Sequence, residues 1–213
     1  LTVGFGLGIA LLLNSIEKGV WIYRAILILP LGMSAVVSGM TWQMMMNPLS
    51  GIINYLLQSM GLPISLWHTG INSAMISVII IESWQWTPFP LFVIYAGLQM
   101  LPQEPFEAAR IDGATRWQQL LNVTLPGIAP TIILLAALSL QNVLNAGFEQ
   151  ILNLYNPLVY ASGDILDTYV YRMGLVDAQF EVGTAIGLLK SCVGFVFIYT
   201  ANALAGRYAN YRI

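Results

Sequence analysis

Residues 25–46 read Ala25-Ile-Leu-Ile-Leu-Pro-Leu-Gly-Met-Ser-Ala-Val-Val-Ser-Gly-Met-Thr-Trp-Gln-Met-Met-Met46, and the chain stays free of Asp, Glu, Lys and Arg as far as Ile81. Fifty-seven such residues are far more than the roughly 20 that cross a hydrocarbon layer once, so the run must be broken internally. Asn47-Pro48-Leu49-Ser50-Gly51 and Gly61-Leu62-Pro63 break it, each rich in residues that favour turns. A span over about 24–46 follows, while 52–60 is too short to cross and reads as an interfacial or re-entrant piece. Composition agrees. Only 8% of the 213 residues are charged, against about 25% in a soluble domain; 57% are hydrophobic, mean hydropathy is +0.73 and the formal net charge is -2. Such a chain cannot clothe itself for water. Its composition excludes an ordinary cytosolic enzyme, a disordered chain and a nucleic-acid binder working through basic patches. The solvent is a lipid bilayer.

Further apolar runs place spans at about 1–13, 71–101, 128–148 and 182–205. The run 71–101 carries one charge, Glu82, with Pro88 and Pro90, and predicts a long bent helix. Backbone groups in lipid must pair within a segment, and no ten-residue alternation of the barrel kind is present. The fold class is therefore all-α, a polytopic transmembrane helix bundle forming one domain over 1–213. The sequence opens inside an apolar stretch without an initiator Met or basic leader, so an N-terminal part is expected to be missing. Lys18, Arg24, Arg110, Arg116, Arg207 and Arg212 lie in segments that fall on one side, 14–24, 102–127 and beyond 206. The other side, 47–70 and 149–181, has Arg172 against Glu149, Asp164, Asp167, Asp177 and Glu181. Loops rich in lysine and arginine stay inside, which makes the first side cytoplasmic.

The loop 102–127 carries the functional message. Pro105 suits a first helical turn, Gly113 interrupts, and a second helix is expected to stop before Pro126. Within it, Glu107-Ala108-Ala109, Gly113 after three more residues, then Val123 and Leu125-Pro126 resemble the EAA loop of ATP-binding-cassette importer permeases, with Val123 where isoleucine is commoner. Leu29-Pro30, Asn47-Pro48 and Trp84 with Pro88 are similar to the sugar-importing, maltose-permease-like branch. The stretches 153–160 and 164–172 are similar to an oligosaccharide sub-branch that includes importers of alginate and aldouronate fragments.

The resemblance implies the type I importer permease fold, a multi-pass protein of the bacterial plasma (inner) membrane. It implies that Glu107, Ala108, Ala109, Asp112, Gly113, Leu125 and Pro126 form a coupling loop that docks on an ATPase subunit. Implied partners are a homologous permease subunit, two ATP-binding-cassette ATPases, an extracytoplasmic solute-binding protein and an oligosaccharide substrate. This chain is then no enzyme and holds no cofactor or metal of its own; ATP and Mg belong to the ATPases. Gly187-Leu-Leu-Lys190-Ser191 departs from a phosphate loop at Leu189 and is predicted to lie in lipid.

An ionisable group at bilayer depth costs about 3 kcal/mol or more and so faces a cavity or a partner. Glu82, with Gln85 and Trp86 three and four residues on, occupies one helix face just ahead of Pro88. A carboxylate, an amide and an indole suit sugar hydroxyls and a sugar's apolar side, although polar bonding between helices is the other reading. The resemblance aligns these three, and Ser139, with substrate contacts. Ser139, Asn142 and Asn145 make a second stripe at three-residue spacing. Lys190 is a further candidate, open to pairing with Glu82, with the carboxylate of an acidic sugar, or within a dimer. The competing class is an ion-coupled secondary transporter or channel in which Glu82 and Lys190 carry ions. His68 lacks a second ligand at metal spacing, and the lone Cys192 reads as packing.

Overall fold

The structure, a computed structural model, describes residues 1–16, 18–141, 147–154 and 164–208, and every regular element among them is helical. Helix α1 is Thr2–Asn14. The run expected as one span over 24–46 is divided. Helix α2 (Val20–Ile28) passes into a tight turn of 3-10 helix at Leu29–Gly32, and α3 (Ala35–Met45) starts afresh at Ser34, whose hydroxyl accepts from the Val37 amide at 3.3 Å. Pro30 offers no amide hydrogen and Gly32 is a weak helix former, so the ladder is renewed by a cap. The short interfacial piece is α4 (Ile52–Ser59), with Ile52, Tyr55 and Leu56 exposed. The run 71–101 is likewise divided at Thr87 into α5 (Ala74–Trp86) and α6 (Pro88–Gln99); Pro88 stands in the first turn, where no amide hydrogen is needed.

Helix α7 (Glu104–Ile111) and α8 (Arg116–Gln119) form the loop that follows α6. The stop expected before Pro126 does not occur. A π-turn over Leu120–Thr124 carries α8 directly into α9 (Leu125–Gln141), with Pro126 and Pro130 inside the helix. Proline's ring needs room against the carbonyl four residues back, here that of Asn122, and the wider π-turn falls at that point. Helices α10 (Phe148–Leu154) and α11 (Leu166–Tyr171) follow, then a second π-turn at Arg172–Val176 and the 29-residue α12 (Phe180–Tyr208). Among the described residues, Arg116–Ser139 and Phe180–Thr200 are each long and apolar enough to cross a bilayer; Val20–Gly32 and Ala35–Met45 pass together as one span bent by 103°, and Thr2–Asn14 and Pro88–Gln99 are shorter apolar helices.

Two compact units are woven from separated stretches. The first comprises residues 1–28, 87–141 and 195–213. Its core is Ala10, Leu13, Leu91, Ile94, Leu98, Ile128 and Leu135. Helix α1 lies hard against α6: a Cβ on Gly6 would meet the Leu91 amide nitrogen at 2.9 Å, the close approach that small residues permit in membranes. Gln99 Nε2 donates to Asn14 Oδ1 at 2.6 Å, and the Arg24 guanidinium donates to the Tyr95 hydroxyl while lying 4.6 Å from its ring centroid. The second unit comprises 29–86 and 142–194, with Met46, Val78, Ile81, Ile151 and Leu154 at its core. Asn54, nearly buried, organises its outer turn. It donates to the Pro48 and Ser65 carbonyls at 3.1 and 2.9 Å, and its Oδ1 accepts from the Ser65 amide at 3.1 Å and the Trp67 indole at 2.8 Å.

Candidate functional site

The segment 102–127 belongs to the first unit and is shaped by its backbone. Pro105 and the acidic Glu104 and Glu107 favour the start of α7, and Arg110 its last turn. The helix ends where Gly113 turns left-handed at φ +74. The Gly113 amide donates to the Arg110 carbonyl at 3.1 Å and the Ala114 amide to the Ala109 carbonyl at 2.9 Å, the paired bonds of a Schellman stop. Thr115 then opens α8 with a capping box: its hydroxyl accepts from the Gln118 amide at 3.3 Å and its own amide donates to Gln118 Oε1 at 2.8 Å.

Two locks back to back fix a sharp bend, and what they present is bare. Glu107, Ala108, Asp112 and Gly113 are exposed, as is Ile111 at 87% and Trp117 at 67%. Ala109 is half-buried. A Cβ on Gly113 would meet nothing within 4 Å, so glycine is needed there for its dihedral angles and not for space. Leu125 packs against the core while Pro126 is exposed on α9. Beneath α7 lies a mainly apolar cavity of about 220 Å³, lined by Leu101, Pro102, Pro105, Phe106, Asn122, Val123 and Gly127.

The polar face of α5 belongs to the second unit. The Trp86 side chain hydrogen-bonds the Glu82 carboxylate, so these two stand together as their spacing predicts. Gln85 is turned elsewhere. It is 3% exposed, donates to the Met33 carbonyl at 3.0 Å and accepts from Gln150 Nε2. Its amide thus caps a carbonyl released by the break before α3, the interhelical role also open to it from sequence. Glu82 Oε1 and Gln150 Oε1 are buried without a partner, and Gly147, at φ +69, sits against Glu82. Sequence reasoning missed Gln150 and Gly147; the signal available was a glycine followed three residues on by a glutamine, the spacing that also separates Glu82 from Gln85.

Lys190 pairs with Asp167 at 2.5 Å and not with Glu82. Asp164 pairs with Arg172 at 2.5 Å, so two acidic groups of the segment 149–181 are already held by cations, while Glu149, Asp177 and Glu181 are exposed. Ser139 is half-buried on α9, in the first unit. Asn142 and Asn145 lie outside the described residues. Among the described residues no three His, Cys, Asp or Glu side chains gather as metal ligands would.

Residues 3–210 match the family of binding-protein-dependent transport system inner membrane components, and the chain belongs to that family. It is 34% identical over 211 residues to protein LplB of Bacillus subtilis, a match covering 94% of this chain and 64% of that protein. It is 36% identical over 138 residues to the trehalose/maltose transport system permease protein MalF of Thermococcus litoralis, covering 65% of this chain and 46% of that one. The chain thus spans less than two thirds of the length of these relatives. A solved bacterial alginate transporter, in complex with an alginate pentasaccharide-bound periplasmic protein, has a chain that superposes with a TM-score of 0.94 at 30% identity, covering 99% of this chain and 74% of that one.

Proposed function

We propose that this chain is a multi-pass translocation subunit of an ATP-driven importer for an oligosaccharide. The observation that carries the reading is the exposed bend at Glu107–Gly113, held by the Schellman stop and the capping box, which presents a preformed handle to a motor subunit. The chain works with a homologous permease, two ATPases that hold the ATP and Mg, and an extracytoplasmic solute-binding protein. Closure of the ATPase pair around nucleotide draws the coupling loops together, and the bundles alternate between inward- and outward-open. A loaded binding protein drives the cycle only through its different affinity for the two states. The relatives' names support sugars as cargo, and the alginate transporters support acidic ones. Glu82 and Trp86 supply a carboxylate and an indole face for the sugar.

The test is reconstitution of the assembled transporter in proteoliposomes with cysteine crosslinking from Ala108→Cys. Crosslinks to the ATPase, and uptake that requires both ATP and loaded binding protein, are expected. Uptake that follows membrane potential without ATP would instead establish the ion-coupled class.

A further inference from the structure

Lys190 stands ten residues into α12, within the stretch Phe180–Thr200 that is long and apolar enough to cross a bilayer. An ammonium in such a stretch requires an anion. Asp167 supplies one, and the two side chains remain 19% and 20% accessible, so the pair is not sealed. It differs in kind from the neighbouring pair. Arg172 and Asp164 belong to one continuous segment and are stitched by Thr168, fully buried, which donates to Asp164 Oδ1 at 2.6 Å. Asp167 and Lys190 instead join α11 to α12. Exchanging Asp167 for another carboxylate would leave the charge of the site unchanged, so the ammonium need never stand uncompensated.

Resting on the importer reading above, we propose that Lys190 is an anion-recognition residue for the cargo: the carboxylate of a uronic-acid sugar takes Lys190 over from Asp167 during passage, and Asp167 reclaims it afterwards. The ion pair is thereby a specificity element. It admits acidic saccharides by exchange and gives a neutral saccharide no contact that is not already made.

The experiment uses the complete transporter in proteoliposomes, supplied with saturating binding protein and two probes. One is a uronic-acid oligosaccharide; the other is the same oligosaccharide with its carboxyls reduced to alcohols. Lys190→Gln is expected to lower the ratio of acidic to reduced uptake by about tenfold, the scale of one charge-assisted contact. Asp167→Asn is expected to shift the half-saturating concentration of the acidic probe downward, a gain that misfolding cannot produce. Lys190→Arg should keep the ratio, and Asp164→Asn, which breaks only the pair within its own segment, should leave it unchanged. Equal changes for the two probes in Lys190→Gln and Asp167→Asn would overturn the exchange while leaving the importer intact. Wild-type transporter whose ATP hydrolysis ignores loaded binding protein would overturn both readings.

Discussion

Gly147 stands so close to Glu82 that a Cβ on it would lie 2.1 Å from the carboxylate Oε1. Three residues further along each helix, Gln150 bonds Gln85. The first turn of α10 is therefore registered on α5 through one steric contact and one hydrogen bond, each in step with the helical repeat. Both orphaned oxygens of this region, Glu82 Oε1 and Gln150 Oε1, belong to residues that make these two contacts.

Gly147→Ala should displace the Glu82 carboxylate and also strain a backbone at φ +69. The second effect alone costs about 1–2 kcal/mol. A lower midpoint of thermal unfolding in detergent is expected, together with weaker uptake. An unchanged midpoint would show that the contact is not as tight as drawn.

Gln85→Leu and Gln150→Leu should each destabilise by about 1–3 kcal/mol, because each leaves a buried amide unpaired. The double variant should cost less than the two together. A double-mutant cycle on unfolding free energies checks this, and strict additivity would deny the bond between them.

Gly113→Ala and Thr115→Ala attack the two locks of the coupling bend separately. The first forces alanine to φ +74; the second removes a cap whose loss costs about 0.5–2 kcal/mol. Insertion into the membrane should be retained while ATP hydrolysis stimulated by loaded binding protein falls several-fold, and Thr115→Ser should restore it. Full stimulation in both variants would remove the bend from the coupling mechanism.

Val123→Ile adds a methylene toward the partly open apolar pocket beneath α7. Such an addition is expected to stabilise by up to about 0.5 kcal/mol, less than the reverse of an Ile→Val loss in a closed core. A raised unfolding midpoint with coupling unimpaired is the expected result; a lowered one would mean that the cavity is filled.

Burial holds the His68 imidazole below its ordinary value of 6.5. The folded outer turn therefore binds fewer protons than the unfolded chain once pH falls through 6.5, and acid should loosen it. No effect is expected above that pH, where both forms are neutral. His68→Gln should flatten the dependence, as read by limited proteolysis of residues 47–70 between pH 7.5 and 5.5.

The all-helical fold was legible because uncharged runs longer than 18 residues permit no other hydrogen-bonded solution in lipid. The breaks within those runs were only partly legible. Pro88 was read as a bend and is the first turn of a new helix. Pro30 and Ser34 divide a run that counted as one span, since a length rule does not register a proline followed by a capping serine. Pro126 went the other way, because a π-turn leaves no mark in a local pattern. The helix, bend and helix of 102–127 were legible because Pro105 and Gly113 act locally, one in the first turn of α7 and the other at its end. Gln85 and Lys190 were read as candidate substrate contacts within spans, but the partners they have, Gln150 and Asp167, are 65 and 23 residues distant, and periodicity carries no such pairing.

The bend between α7 and α8 keeps its curvature in main-chain amides and one threonine–glutamine pair, so Glu107, Ala108, Ile111 and Trp117 take little part in folding it. Those side chains are left free to serve as an address. In the importer proposed above, recutting them would redirect the chain to a different motor while the blank on which they are cut kept its form.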